Sequence, residues 1–87
     1  MEKEKLAMVI AVNKALEYKN SKPNSETEEI LQHIMKEIKA RGQAKIAAIA
    51  AATEAINYKE RNPNVKDKEI VQNIMNRLDE ILNSICS

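Results

Sequence analysis

Hydrophobic residues recur along this chain three and four residues apart, which is the spacing that places them on one face of an α-helix. Pro23, Gly42 and Pro63 interrupt this pattern, and nowhere does the two-residue alternation of a strand replace it. The pattern predicts an all-α fold. The expected helices span about 3–21, 25–41, 43–61 and 65–85.

The first predicted helix is apolar over most of its circumference. Met8, Val12 and Leu16 form one aliphatic sector, whereas Leu6 and Ile10 lie in a sector that is otherwise polar. A helix of this kind is usually covered on more than one side, so we expect self-association to cover what one chain leaves exposed. The candidate interaction surface consists of Leu6, Val9, Ile10, Ala47, Ala50 and Ala51.

The chain repeats itself with a period of 40 residues. When residues 5–39 are laid over residues 45–79, 13 of the 35 positions are identical and no gap is needed. A fixed period of this length indicates one supersecondary unit used twice. We therefore predict a single domain over 1–87, with repeat one at about 3–41 and repeat two at about 43–85. Two tandem helical hairpins would then close into an antiparallel four-helix bundle.

The identities between the repeats indicate how the helices pack. In the first hairpin they include the alanines of one helical ridge and the large residues of the second helix, namely Ala7, Ala11, Ala15, Ile30, Ile34 and Met35. Alanine has no bulk beyond Cβ, so two helix axes can come close along such a ridge. We expect the ridge to receive the large side chains, and the same contact to recur forty residues later.

The connections leave alternatives open. Ser25 with Glu28, or Asn24 with Thr27, fits a capping box after the first proline turn. Gly42 suits the position just after a helix C-terminus. Its neighbours are good helix formers, however, and one long helix through Gly42, which would favour an exchanged dimer, is the alternative.

The charge and the aromatic content of the chain bear on whether it binds nucleic acid. The net charge is +1, and the chain contains two tyrosines but neither phenylalanine nor tryptophan, which leaves little for stacking on bases. The basic residues nearest Gly42 form a candidate phosphate-binding patch of Lys36, Lys39, Arg41 and Lys45. Cations in the last turn of a helix also compensate its dipole, which explains most of this cluster without a ligand.

Chemistry-bearing residues are few. Glu29, His33 and Glu37 share a helical face at a spacing that could hold a metal ion, but repeat two keeps only the first of them, and a solvated polar face explains them better. Cys86 fits a small buried residue at the end of an apolar face. We expect no catalytic residue, metal or cofactor, and no enzyme activity.

These observations predict a cytoplasmic, non-catalytic helical module for protein–protein interaction or scaffolding. We expect a homo-oligomer, with a dimer favoured, and a further protein partner of unknown identity is compatible with the same surface. The apolar run near the N-terminus is too short to cross a membrane, and its copy lies in mid-chain, so we expect neither a signal peptide nor a membrane partner. A small nucleic-acid-binding bundle that uses the basic corner near Gly42 is the alternative function.

Overall fold

The computed structural model describes residues 2–86, except for the side chain of Cys86, and this part of the chain is all-α as predicted. Its helices are α1 (Glu2–Ser21), α2 (Thr27–Glu37), α3 (Gln43–Arg61), α4 (Asp67–Asn76) and α5 (Leu78–Cys86). The described residues thus form five helices where the sequence predicted four. The interpretation of Cys86 as a small buried residue falls outside the described side chains. Between residues 2 and 86, no helix combines the length and apolarity that crossing a membrane requires.

The second predicted helix ends four residues early. It stops at Glu37, and Ile38 turns to an extended conformation with φ −93° and ψ 126°. This lets Ile38 and Ala40 pack against the core instead of continuing along the axis of α2. Gly42 then precedes α3 with φ 61° and ψ −133°, a conformation that only glycine adopts without strain. One long helix through Gly42 is therefore wrong, and Gly42 caps α3 rather than following α2.

The fourth predicted helix breaks at Arg77 although neither glycine nor proline stands there. Arg77 has φ −113° and ψ 11°, and its N–H donates to the carbonyl of Ile74 at 2.9 Å. Its guanidinium lies 3.1 Å (Nη1) and 3.2 Å (Nη2) from the two carboxylate oxygens of Glu54 on α3. These two contacts attach the break between α4 and α5 to α3, and α5 also packs against α3.

The proline turns are closed by backbone rather than by side chains. The Ser25 N–H donates to the Lys22 carbonyl at 3.0 Å, and the turn forty residues later has the same hydrogen bond. The residue that precedes α2 is Glu26, and its side chain caps nothing. Neither predicted capping box is formed, because α2 begins two residues later than the pattern suggested.

The polar contacts of Asp67 and Asp79 establish the relative direction of the two long helices, α1 and α3. Lys59, in the last turn of α3, reaches its Oδ1 at 2.7 Å, and Asn20, at the end of α1, donates to its Oδ2. At the opposite end of the molecule, Lys5 near the start of α1 pairs with Asp79 near the start of α5 at 2.7 Å. The long helices α1 and α3 are therefore parallel, and α4 runs back against them.

The core consists of two clusters that share the long helices. One contains Met8, Val12, Leu16, Ala47, Ala51, Ala55, Ile70, Ile74, Leu78, Ile81 and Leu82. The other contains Ala7, Ala11, Ala15, Ile30, Ile34, Ala48, Ala52 and Ile56. Apart from the three residues of α5, each member of the first cluster has its counterpart, forty positions away, in the second.

The alanine ridge predicted on each long helix is confirmed, with two differences. Ile30 and Ile34 of α2 do pack in one cluster with the ridge of α1. Met35 and Met75, however, point outward and are exposed, because α2 and α4 bury only a narrow stripe. The ridges also face the other long helix, and the contact between α1 and α3 is the most extensive in the fold.

We expect Ala51→Leu to lower the free energy of unfolding by ~1–3 kcal/mol, because Ala51 is completely buried and the added atoms must displace neighbours. The measurement is urea denaturation followed by circular dichroism. Ala50→Leu is the control: its side chain borders an open cleft of about 130 Å³, and the loss should be much smaller. Equal stability of Ala51→Leu and the parent would contradict the close contact of α1 with α3.

We expect Asp67→Asn to lower the free energy of unfolding by about 1 kcal/mol at neutral pH, because the hydrogen-bonded ion pair of Asp67 with Lys59 is only partly buried. Burial disfavours the carboxylate, but the hydrogen bonds from Lys59 and Asn20 and the charge of Lys59 outweigh it and hold the pKa of Asp67 below its ordinary value of 3.8. A lowered folded-state pKa stabilises the fold above about pH 4, and this contribution disappears as the pH falls through that pKa.

The parent and Asp67→Asn should therefore differ in urea denaturation at pH 7 and converge toward pH 2. Asp79→Asn provides the control, because Asp79 also lies 2.7 Å from a lysine but is far more exposed, and an exposed pair contributes little. If Asp79→Asn lowered the free energy of unfolding as much as Asp67→Asn, the partly buried ion pair at Asp67 would contribute no more stability than an exposed one.

Candidate interaction groove

A groove of about 580 Å³ opens between the N-terminal half of α1 and the segment that joins α2 to α3. The α1 side is formed by Lys3, Leu6, Ala7 and Ile10, and the opposite side by residues 37–41 together with Ala44 of α3. The walls are mostly aliphatic and the mouth is open to solvent. An open apolar site of this size suits a side-chain cluster of another molecule.

The α1 side of the groove, which we call its floor, exposes two large aliphatic side chains. Leu6 is 63% exposed and Ile10 is 40% exposed, and they lie one helical turn apart on the same face of α1. Isolated exposed aliphatics are ordinary on protein surfaces, whereas two neighbours that line one groove indicate a contact site. Leu6 and Ile10, which interrupt the polar sector in the sequence, are thus the large hydrophobic residues of α1 that remain exposed in the fold.

The groove exists because the two halves of the chain differ after their second helices. In the second half, α5 packs on α3 beside Ala47 and Ala50. The counterparts of these residues, Ala7 and Ile10, lie in the groove. Repeat one has no helix equivalent to α5, because its chain leaves α2 at Glu37 and crosses over to begin α3.

The rim of the groove is mostly basic. Lys3, Lys39 and Arg41 line it, and Glu37 is the one acid among the lining residues. Of the predicted basic patch, Lys39 and Arg41 therefore border the groove, while Lys36 lies exposed on α2 and Lys45 is half-buried in the first turn of α3. The cations surround an apolar floor instead of forming a continuous charged face.

The residues of the predicted interaction surface differ in exposure. Leu6 and Ile10 are exposed, Val9 is half-buried against the core, and Ala50 borders a shallow cleft beside α5. Ala47 and Ala51 are a correction, because both lie on α3 and are completely buried in one cluster with residues of α1, α4 and α5. They are unavailable to a partner, since the alanine ridge of α3 faces the interior.

The polar trio on α2 does not converge on one point. Glu29 accepts a hydrogen bond of 2.6 Å from the Tyr18 hydroxyl, whose pKa this bond raises above its ordinary value of 10.0. The ring of His33 packs against the Tyr18 ring at 4.6 Å between centroids, and its Nε2 lies 3.8 Å from Glu37. Among the described side chains of residues 2–85, no three acidic, histidine or cysteine side chains meet as a metal site would require. Glu29 and His33 instead join α2 to Tyr18 of α1, and Glu37 pairs with His33 within α2.

On the side of the groove opposite α1, sequence reasoning singled out only Lys39 and Arg41. It did not predict that Ile38, Ala40 and Ala44 line the groove, because good helix formers in 38–41 predicted a continuing helix there. The alignment of the repeats contains a signal: Glu37 lies over Arg77 and Lys39 over Asp79, so the two segments differ in charge where they differ in structure.

Comparisons of the chain with protein-family models, with curated proteins and with solved structures gave no match. The function proposed below therefore depends on the groove and on the surfaces around it.

Proposed function

We propose that this chain is a non-catalytic helical module that binds another polypeptide, and that the groove beside α1 is its binding site. The observation that carries the proposal is the exposure of Leu6 and Ile10 in an open, mostly aliphatic groove. Burial of such side chains by a partner is worth roughly 1.5–3 kcal/mol each, which is enough to make them the centre of an interface. The module acts in the cytoplasm in this proposal, as expected from the sequence.

The groove supports this function better than nucleic-acid binding. A phosphate backbone is held by a row of cations on a polar surface, whereas here the cations rim an aliphatic floor and Glu37 interrupts them. An apolar centre with a charged rim is the ordinary anatomy of a protein–protein interface.

We propose further that the architecture arose by duplication of a helical hairpin. In this view α4 and α5 are one helix broken at Arg77, and the chain is an up-down-up-down four-helix bundle. The matching of the two core clusters at an offset of forty residues supports the duplication. The parallel course of α1 and α3 supports the alternating directions.

We expect the purified chain to dimerise reversibly in sedimentation equilibrium, with the dimer fraction rising with concentration. Met35 and Met75 are exposed apolar residues outside the groove and provide the surface, because a twofold contact through the groove would oppose its cations to each other. Met75→Lys should shift the equilibrium toward monomer. A single monomeric species at all concentrations would remove self-association from the proposal.

We expect selection from a random peptide library to enrich sequences that bind the parent but not the double variant Leu6→Lys/Ile10→Lys. These substitutions put two charges on the floor of the groove while leaving the core untouched. Ile46→Lys is the matched control, because Ile46 is the counterpart of Leu6 and is 54% exposed, but lies outside the groove. Enrichment of no groove-dependent sequence would contradict the proposed function.

A further inference from the structure

We propose that the ligand of the groove is an amphipathic α-helix with an acidic polar face, supplied by another protein and seated on α1 as α5 is seated on α3. This inference rests on the proposed function and specifies its ligand. It follows from the equivalence of the two halves, from the charges around the groove, and from what a second copy of the chain can offer.

The second half of the chain shows what the site on the first half accepts. There α5 buries Leu78, Ile81 and Leu82 against the alanine ridge of α3. In the first half, Ala11 and Ala15 of the equivalent ridge are already buried against α2 and α3. Ala7 and Ile10, however, line the groove, and they are the counterparts of the residues beside which α5 packs. The groove therefore corresponds to the site that α5 occupies in the second half.

The length of α5 sets the length of the ligand. Its nine residues span about 13 Å at 1.5 Å per residue. On α1, the groove residues from Lys3 to Ile10 extend over roughly 12 Å by the same rise. A partner helix of two to three turns, with apolar residues spaced three and four apart, therefore fills the groove.

Charges specify the polar face of that helix. In the second half, Asp79 of α5 pairs with Lys5 of α1 at 2.7 Å. The counterpart of Lys5 is Lys45, a half-buried cation that forms no ion pair with the rest of the described chain. Lys45 follows Ala44, which lines the groove together with Lys39 and Arg41. A bound helix with acidic residues in its first turn would repeat the contact made by Asp79.

A second copy of the chain does not offer this ligand. The apolar face of its α5 is buried in its own core, and Asp79, Glu80, Asn83 and Ser84 make up the exposed face. Two grooves in contact would bring like charges together. The helix therefore comes from a partner whose apolar face is free.

The test uses the full chain and three stapled, fluorescein-labelled peptides. The acidic peptide keeps Leu78, Ile81, Leu82 and Ile85 in the spacing of α5 and carries Glu at the other unstapled positions. The basic peptide has Lys in place of each Glu, and the scrambled peptide keeps the acidic composition but loses the apolar face. Binding is measured by fluorescence anisotropy at two salt concentrations.

We expect the acidic peptide to bind one-to-one and at least tenfold more tightly than the other two, and more weakly at the higher salt concentration. Ile10→Glu and Lys45→Glu should each raise its Kd about tenfold or more, whereas Ile46→Glu should leave the Kd unchanged. Leu6→Gln, which adds no charge, should weaken binding by a smaller factor. Circular dichroism of each variant confirms that the fold is intact.

Equal binding of the basic peptide, an unchanged Kd in Ile10→Glu, or no binding of the acidic peptide would each overturn the inference. The peptide selection separates that failure from failure of the proposed function. Groove-dependent sequences that are basic or extended would leave the groove as a polypeptide site with a different ligand. Absence of any groove-dependent sequence would remove both proposals.

Discussion

The contact between α1 and α3 is the constraint on which the remaining structure depends. Two parallel helices meet along rows of alanine, and the small volume of these residues lets the isoleucines of α2 and α4 reach the space beside each row. Parallel helices gain nothing from their dipoles, so packing must hold them together, and the helices that run back provide the opposing dipoles. The ridge positions of each long helix need alanine, because leucine at these positions would separate the axes. The connecting segments and the break at Arg77 allow the short helices α2, α4 and α5 to pack against the pair of long helices.

Much of this arrangement could be predicted from the sequence, because the internal repeat shows each pattern twice. The helical class, the start of α3 at Gln43 and the packing of Ile30 and Ile34 on an alanine ridge all follow from periodicity and from identities forty residues apart. The end of α2 and the break at Arg77 could not be predicted in this way. Local sequence favours helix at both places, and contacts with residues distant in the chain, such as Glu54, decide against it. Periodicity also could not tell that Met35 would be exposed, since it reports a face of the helix and not the width that a neighbour covers.

The candidate site lies where the two halves stop resembling each other. Leu6 and Ile10 could be identified from the sequence because they interrupt a polar sector, and they are exposed in the fold. The opposite wall could not, because it exists only when the chain leaves the helix after Glu37. The first sequence repeat has no helix equivalent to α5, and Leu6 and Ile10 of α1 remain exposed beside the groove. That difference, rather than a cluster of reactive groups, gives the chain its most distinctive surface.

The sharing of both core clusters between the halves has a consequence for folding. Each cluster takes side chains from α1 and from α3, so neither hairpin encloses a hydrophobic core of its own. A hairpin formed first would still expose its alanine ridge and gain little from burial. The decisive contacts join residues about forty positions apart, and such contacts require closure of a long loop before they contribute stability. We therefore expect folding to be a single cooperative event, slower than that of helical proteins whose contacts are local, and we expect neither core cluster to form in the nascent chain before α3 has been made.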